Sequence, residues 1–531
     1  MRCARRSKTK TLALIALALG LAGCAPAVRE YVLTGPQASE LEKKIEEADA
    51  LIRKGCYIGF KRAVSIYEEL FAQPALRDKI ALPYLRTLLL LAVREKDLGM
   101  IDETFLQRAF ELSKAYPGLK GFEPYLVLAD QMPLRTKGVI EDIDIVQTKR
   151  TVDEVLAGIR EKIGIQAELR AKAAAEDYYA YLYVSFFSGY ASFIDQKSDV
   201  ADVLKLHPDS ILMKYRNAIQ YPQEKPEVLD ELANSDPDFY EAHYHLGEVA
   251  LGRGKLLEAE KQFLKAFEGI PESPQITILL AAVYFANEEF DRSLEFYEKT
   301  IGLAPEYRDA LLGKAICLSY MGKYQDAIDV LDKLVSLGSW LMGETHYWLA
   351  WNLRELQDLD RAQTHIEESK GRLPTNSEVF GLAGTIALEK GELDKAEKES
   401  KEALVYNSAN SEALFNLGRL YAQKEKWADS GAYYEKAAAV FEKNEAAAFA
   451  KIEEIKGSLL SDERKARLLA KKDQQLKIIQ ATKATACYYA ALSLANAGQK
   501  EKALDLAERA ALHPQFKERA GELIAQIKSK K

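Results

Sequence analysis

The chain has 531 residues and a formal charge of −7, an acidic balance that argues against a general nucleic-acid-binding role. Proline is scarce, at 16 residues, and Ala, Leu, Glu and Lys fill long stretches, which favours an all-α protein. Five scattered cysteines, with no zinc-type spacing, exclude a disulfide or zinc framework as the organising feature.

Met1 to Cys24 reads as a targeting segment to be set apart from the fold. Arg2, Arg5, Arg6, Lys8 and Lys10 precede an apolar core from Thr11 to Gly20, too short to span a bilayer comfortably. The core ends in Leu21-Ala22-Gly23-Cys24, which resembles the lipobox of bacterial lipoproteins. That resemblance implies a signal peptide over residues 1–23, cleavage before Cys24, and lipidation of its thiol and new amino terminus with chains such as palmitate. Two or three acyl chains give stable membrane anchoring. Removing the five basic residues with the leader takes the charge from −7 to −12. Ala25 and Pro26 follow the cysteine, and the lack of Asp there leans towards the outer membrane under the common sorting rule. The expected location is therefore the bacterial cell envelope, on the periplasmic face or alternatively on the cell surface.

Residues 24–37 read as a tether, and residues 38–235 as an irregular helical region. Leu41, Ile45, Ala48, Leu51 and Ile52 recur at helical spacing, and Ala63, Ile66, Tyr67, Leu70 and Phe71 form a partner, with a lengthened turn at Gly55 to Gly59. Ile80 to Val93 and Phe105 to Ala115 suggest a second pair, and Met132 to Lys149 a crossing loop. Within Arg150 to Asp195 lies an aromatic cluster of Tyr178, Tyr179, Tyr181, Tyr183, Phe186, Phe187, Tyr190 and Phe193. It reads as a core stripe, with a ligand-stacking wall as the alternative.

From Tyr240 to Asn444 one 34-residue pattern repeats six times. The first copy carries Leu246, Gly247, Gly254, Ala259, Phe263, Ala266 and Pro271, and the second Tyr284, Phe290, Ser293, Tyr297 and Pro305. Ala315, Gly322, Tyr324, Ala327 and Leu331 mark the third. A one-residue slip then precedes Leu349, Ala350, Leu353, Leu359, Ala362, Ile366 and Pro374. Gly384, Gly391, Leu393, Ala396 and Ala403 mark the fifth copy, and Leu417, Gly418, Tyr421, Trp427, Ser430, Tyr434 and Ala437 the sixth. This pattern resembles the tetratricopeptide repeat family. The resemblance implies a right-handed α-solenoid of helix-turn-helix repeats with a concave inner wall, since one unit cannot bury its apolar face alone. Small residues such as Gly247 and Ala259 let the paired helices approach, Phe263 fills the gap to the next unit, and the prolines stop the second helices. Residues 445–483 read as a charged helical insertion in which Ser461 caps a second segment. Residues 484–531 read as a final repeat-like unit and a polar capping helix.

No phosphate loop, nucleophile elbow or acid/base constellation occurs, and neither an enzymatic activity nor a cofactor or metal is expected. His243 and His245 are two apart and face different ways on a helix, so they make a poor chelate. Cys317 and Cys487 sit in apolar helical context and, with Cys56, read as thiols outside any disulfide.

Positions that face the concave side in the tetratricopeptide family are Tyr244, Glu248, Ile278, Phe285, Leu312, Tyr320, Tyr347, Trp351, Arg354, Thr385, Leu388, Phe415 and Arg419. Chaperone-binding members clamp a peptide carboxylate with lysines and asparagines there. Here Tyr244 and Tyr347 replace the first lysine, so the resemblance implies an apolar, aromatic groove for a helix or extended segment, with cover of several of these residues by the superhelix or by the N-terminal half as the alternative. The expected role is a lipid-anchored scaffold that binds other envelope or surface proteins and no nucleic acid. The alternatives are a surface adhesin, and a ligand-binding accessory to a transporter that uses the aromatic cluster near Tyr179.

Overall fold

The computed structural model describes residues 36–132, 166–189, 202–220, 222–338, 341–458 and 460–529. Cys24, Tyr190, Phe193 and nearly all of the expected crossing loop lie outside these residues. Among the described residues the chain is helical with no strand, and no helix is long and apolar enough to cross a membrane.

The N-terminal half comprises α1 (Pro36–Arg53), α2 (Tyr57–Phe71), α3 (Arg77–Asp97), α4 (Thr104–Ala115), α5 (Glu123–Gln131), α6 (Gln166–Ala175), α7 (Asp177–Gly189), α8 (Ile211–Gln220) and α9 (Pro226–Ser235). The turn between α1 and α2 is shorter than expected, only Lys54 to Cys56. Gly55 takes a left-handed φ of 70°, which a residue without Cβ adopts freely, and the Cys56 sulfur accepts from Gly59 N to cap α2. Cys56, Cys317 and Cys487 are all buried free thiols.

The regular array follows as six antiparallel pairs: α10 (Tyr240–Gly252) with α11 (Leu256–Gly269), α12 (Pro274–Ala286) with α13 (Phe290–Leu303), and α14 (Arg308–Tyr320) with α15 (Tyr324–Leu337). Then come α16 (Met342–Glu355) with α17 (Leu359–Arg372), α18 (Ser377–Glu389) with α19 (Leu393–Tyr406), and α20 (Ser411–Gln423) with α21 (Trp427–Gly457). The slip in the repeat is the extra residue between the starts of α15 and α17. Every pair turns through one left-handed residue: Gly254, Glu288, Gly322, Gln357, Gly391 and Glu425. Three of the six are not glycine, so the stacked neighbours hold those turns against a backbone cost of order 1 kcal/mol each.

Packing inside a repeat follows from the small residues. A Cβ on Gly247 would stand 2.5 Å from the Phe263 ring, so Phe263 lies against its own repeat instead of filling a gap to the next. In the second and sixth repeats a serine replaces alanine at the contact. Ser293 donates to the Ala281 carbonyl and Ser430 to that of Gly418, each at 2.8 Å, which satisfies the buried hydroxyl. First helices pack against the first helices of following repeats and so line the inner side.

The boundaries at 445 and 484 do not separate elements. α21 runs 31 residues without a break, and α22 (Asp462–Asn496) runs 35. The insertion is thus one long hairpin, made by lengthening the second helix of repeat six and the first helix of the last unit. Ser461 does cap its second arm, accepting from Arg464 N at 3.3 Å. Ala448, Ile452, Leu468 and Leu476 bury between the arms, and α23 (Lys500–Ala511) and α24 (Lys517–Ser529) complete the chain.

Two polar junctions tie distant parts of the chain together. At the first, the Arg94 and Glu241 side chains form an ion pair that is wholly buried. Arg94 also donates to the Tyr181 hydroxyl and the Gly55 carbonyl, each at 3.1 Å, and lies 3.9 Å from the Tyr215 ring centroid. Glu241 accepts from Tyr57 N at 2.6 Å, and Arg216 grips Asp97 at 2.7 and 2.9 Å. This network joins α2, α3, α7, α8 and α10, and so fixes the irregular half to the first repeat.

Glu95, next to that network, is buried beside Tyr57. Burial, with help from the Asp102 charge, pushes its carboxyl up to about 8. The folded chain therefore keeps a proton that the unfolded chain has released, and stability falls as pH rises from the ordinary carboxylate range through about 8. Glu95→Gln is expected to flatten that decline in thermal melts, with a higher Tm than the parent at about pH 9 and near-equal Tm at about pH 4. Parallel pH profiles would contradict this assignment.

The second junction is at the hairpin tip. Arg464, buried, pairs with Glu260 at 2.8 Å and with Glu289, and Lys472 Nζ meets Glu288 at 3.0 Å. Residues about two hundred apart in sequence are thereby joined, and the hairpin springing from repeat six braces the turn edge of repeats one and two.

Candidate partner-binding site

The inner side of repeats two to four carries a continuous run of rings. Phe290 stacks on Tyr320 with centroids 5.0 Å apart and planes 3° from parallel, and Phe285 meets both edge-on at 5.5 and 5.9 Å. Tyr320 lies 5.7 Å from Trp348, Trp348 lies 5.7 Å from Trp351 and 5.4 Å from Tyr347, and Tyr324 lies 5.8 Å from Trp351. Their first-helix members come from the ends of α12 and α14 and from the inner stripe of α16. Phe290 and Tyr324 are the first residues of their second helices, at the same place in consecutive repeats. Tyr320 is 54% exposed despite these contacts, while Phe285, Tyr347, Trp348 and Trp351 are half-buried.

Beyond the rings, repeats four to six and α22 enclose a cleft of ≈ 720 Å³ lined by Arg354, Thr385, Glu389, Glu412, Phe415 and Arg419 among others. Arg354 makes a forked pair with Glu389, at 2.7 Å for the closest contact. The Glu412 carboxylate accepts from the Thr385 hydroxyl at 2.5 Å. Burial pushes the Glu412 carboxyl up, and burial alone does the same to Glu378 at the head of α18. Phe415 packs on Tyr434 at 5.7 Å, and Arg419 is exposed.

The expected groove residues divide on this evidence. Phe285, Tyr320, Tyr347, Trp351, Arg354, Phe415 and Arg419 present surface, but Tyr244, Glu248, Ile278, Leu312, Thr385 and Leu388 are buried. Tyr244 is buried with His245 at 4.6 Å and Phe263 at 6.4 Å, and His245 in turn meets the Tyr215 hydroxyl of α8 at 3.0 Å. Glu248 turns back to His245 Nδ1 at 2.9 Å. Ile278, Leu312 and Leu388 have short branched side chains that drop between neighbouring helices, whereas a Tyr or Trp at an equivalent place is long enough to emerge. The described side chains of the α7 aromatic cluster are core: Tyr178, Tyr179, Tyr181, Tyr183 and Phe186 are all buried, with Tyr179 4.7 Å from Tyr125 and the planes tilted by 35°, while the Phe187 side chain lies outside those described.

Trp348, Glu378 and Glu412 were not among the expected site residues. Trp348 sits next to the concave stripe and was legible only as its neighbour. The carboxylates head their helices, where acidic side chains are ordinary caps. His346 and His365 come together unexpectedly, Nδ1 to Nδ1 at 2.9 Å, and burial lowers both pKa values. They are only a pair, and no group of three metal-ligating side chains forms among the described residues.

The family model for anaphase-promoting complex, cyclosome, subunit 3 matches residues 253–334, and a tetratricopeptide repeat model matches residues 227–275 and 382–448. These repeats are tetratricopeptide repeats. The chain is 26% identical over 203 residues to the human protein O-mannosyl-transferase TMTC1, covering 36% of this chain and 23% of that one. It is 30% identical over 168 residues to the bovine BBSome complex member BBS4, covering 31% of each. The chain thus spans about a quarter to a third of the curated relatives it matches. The solved APC/C hetero-tetramer Cut9–Hcn1 aligns over 92% of this chain and 97% of its own, at 11% identity and a TM-score of 0.41.

Proposed function

We propose that this tetratricopeptide protein is a lipid-anchored scaffold of the bacterial envelope, held through Cys24, that captures protein partners on the inner face of its array. The observation that carries the binding reading is the half-open ring run from Phe285 to Trp351. Clustered rings with one face wet and the other packed supply rigid apolar anchors at low conformational cost, the usual chemistry of binding hot spots. Anchoring rests on the lipobox-like Leu21 to Cys24.

Tyr347→Ala combined with Trp351→Ala is expected to weaken capture of envelope partners in crosslinked co-purification by at least about tenfold, since each lost anchor costs upwards of 1 kcal/mol. The helical circular dichroism should stay at the parental level. Undiminished capture by the folded double variant would remove the ring run as the site. Protease treatment of intact and opened cells tests the location. Protection until the envelope is opened agrees with a periplasmic array, and digestion of intact cells would make it a surface binder.

A further inference from the structure

Resting on the binding reading above, we propose that the inner face of repeats three to six takes a basic amphipathic segment of a partner protein, its apolar residues on the rings and its Lys or Arg side chains on Glu378 and Glu412. The fold supplies a precedent for that occupant. Between Arg464 and Lys483, helix α22 carries seven basic residues against one acidic residue, Asp473. This basic helix already docks on the acidic side chains of repeats one and two, through Glu260, Glu289 and Glu288. There a guanidinium meets two of these carboxylates and the Tyr284 ring, and farther along the same array the inner side again sets carboxylates near rings.

The charges on that wall support the assignment. Arg354 is paired with Glu389 and its charge also reaches Glu412, and Arg419 stands at the far rim, while the hydrogen bonds recorded to Glu378 and Glu412 come from the neutral Asn410 and Thr385. Partial burial raises both carboxyls, although Glu378 keeps an exposed surface, so a cation brought beside either one favours its charged form. Tyr320 and Tyr347 lie within electrostatic reach of Glu378, and Tyr347 of Glu412 as well, and aromatic rings attract guanidinium and ammonium groups. An acidic segment would meet the two carboxylates head-on, and like-charge contact of that kind is strongly selective against the wrong partner.

The test uses the full mature chain and three labelled peptides in which leucine alternates with lysine, glutamate or glutamine. Fluorescence anisotropy is expected to show the lysine peptide binding at least about tenfold more tightly than the glutamate peptide, with affinity falling as salt rises. Glu378→Gln with Glu412→Gln keeps the hydrogen-bonding shape and should abolish that preference while leaving the glutamine peptide unaffected. Equal binding of all three peptides, or an unchanged lysine preference in the double glutamine variant, would overturn the basic-partner assignment. Loss of all binding in Tyr347→Ala with Trp351→Ala, together with an absent charge preference, would keep the groove and reject only its polarity. Peptide binding indifferent to the rings as well would reject both.

Discussion

Replacing Arg464 by alanine is expected to release the long hairpin from the front of the array. The guanidinium is buried between Glu260 and Glu289 and lies 5.6 Å from the Tyr284 ring centroid. Its removal leaves two carboxylates buried without their cation, and breaking a buried pair in this way costs about 3–5 kcal/mol. Few other contacts can absorb that loss. The hairpin has its own small core of Ala448, Ile452 and Leu476, and Lys472 to Glu288 is the other ion pair at the tip. Amide exchange measured by mass spectrometry should therefore quicken at the tip, around residues 452–472, while the amides of repeats three to five keep parental protection. Arg464→Met with Glu260→Leu and Glu289→Leu should restore much of that protection, because apolar groups of similar volume can replace a buried ion cluster at little cost. Unchanged exchange in Arg464→Ala would mean that the bridge contributes nothing to the closure.

The second large effect is expected at Arg94. Arg94→Met should lower stability by about 3–5 kcal/mol, because Glu241 is wholly buried and would lose its only cation. The Tyr181 hydroxyl and the Gly55 carbonyl lose a donor at the same time. Arg86→Met is the control. That arginine also touches tyrosine rings and pairs with Glu176, but the pair is partly exposed, so it should contribute no more than about 1 kcal/mol. Urea unfolding followed by circular dichroism measures both. A drop in Arg94→Met no larger than in Arg86→Met would show that the irregular half is held to the array by its apolar contacts alone. The site of damage is also defined: α2, α3 and α10 meet at this residue, so the first repeat should loosen before the fourth.

Much of the array could be read from residue order, because each tetratricopeptide unit is local. Gly247, Ala259 and Phe263 meet within 17 residues of one another, and Pro271, Pro305 and Pro374 stop helices wherever they occur. Neither effect depends on distant chain. The six helix pairs, the one-residue slip, the Ser461 cap and the core placement of the α7 aromatics were all legible for that reason. The residue types at the inner offsets could be read from the order too, but not which of them stay exposed. Offset within a repeat places a residue on the inner side without saying whether a neighbour covers it. Tyr244 and Tyr347 occupy matching offsets, yet the first is buried and the second only half-buried.

Long-range ionic contacts were decided by tertiary structure alone. Nothing local distinguishes Arg464 from the other cations of a charged helix, or Arg94 from its neighbours Glu95 and Lys96. Arg464 becomes a structural residue only when the superhelix of repeats brings Glu260 and Glu289 to it, and Arg94 only when the irregular half folds back on the first repeat and its Glu241. The residues specify the repeat because its energetics are settled within about two turns of adjacent helices. They leave the closure unreadable because it depends on the accumulated rotation of every repeat between, a small angle per unit summed along the array.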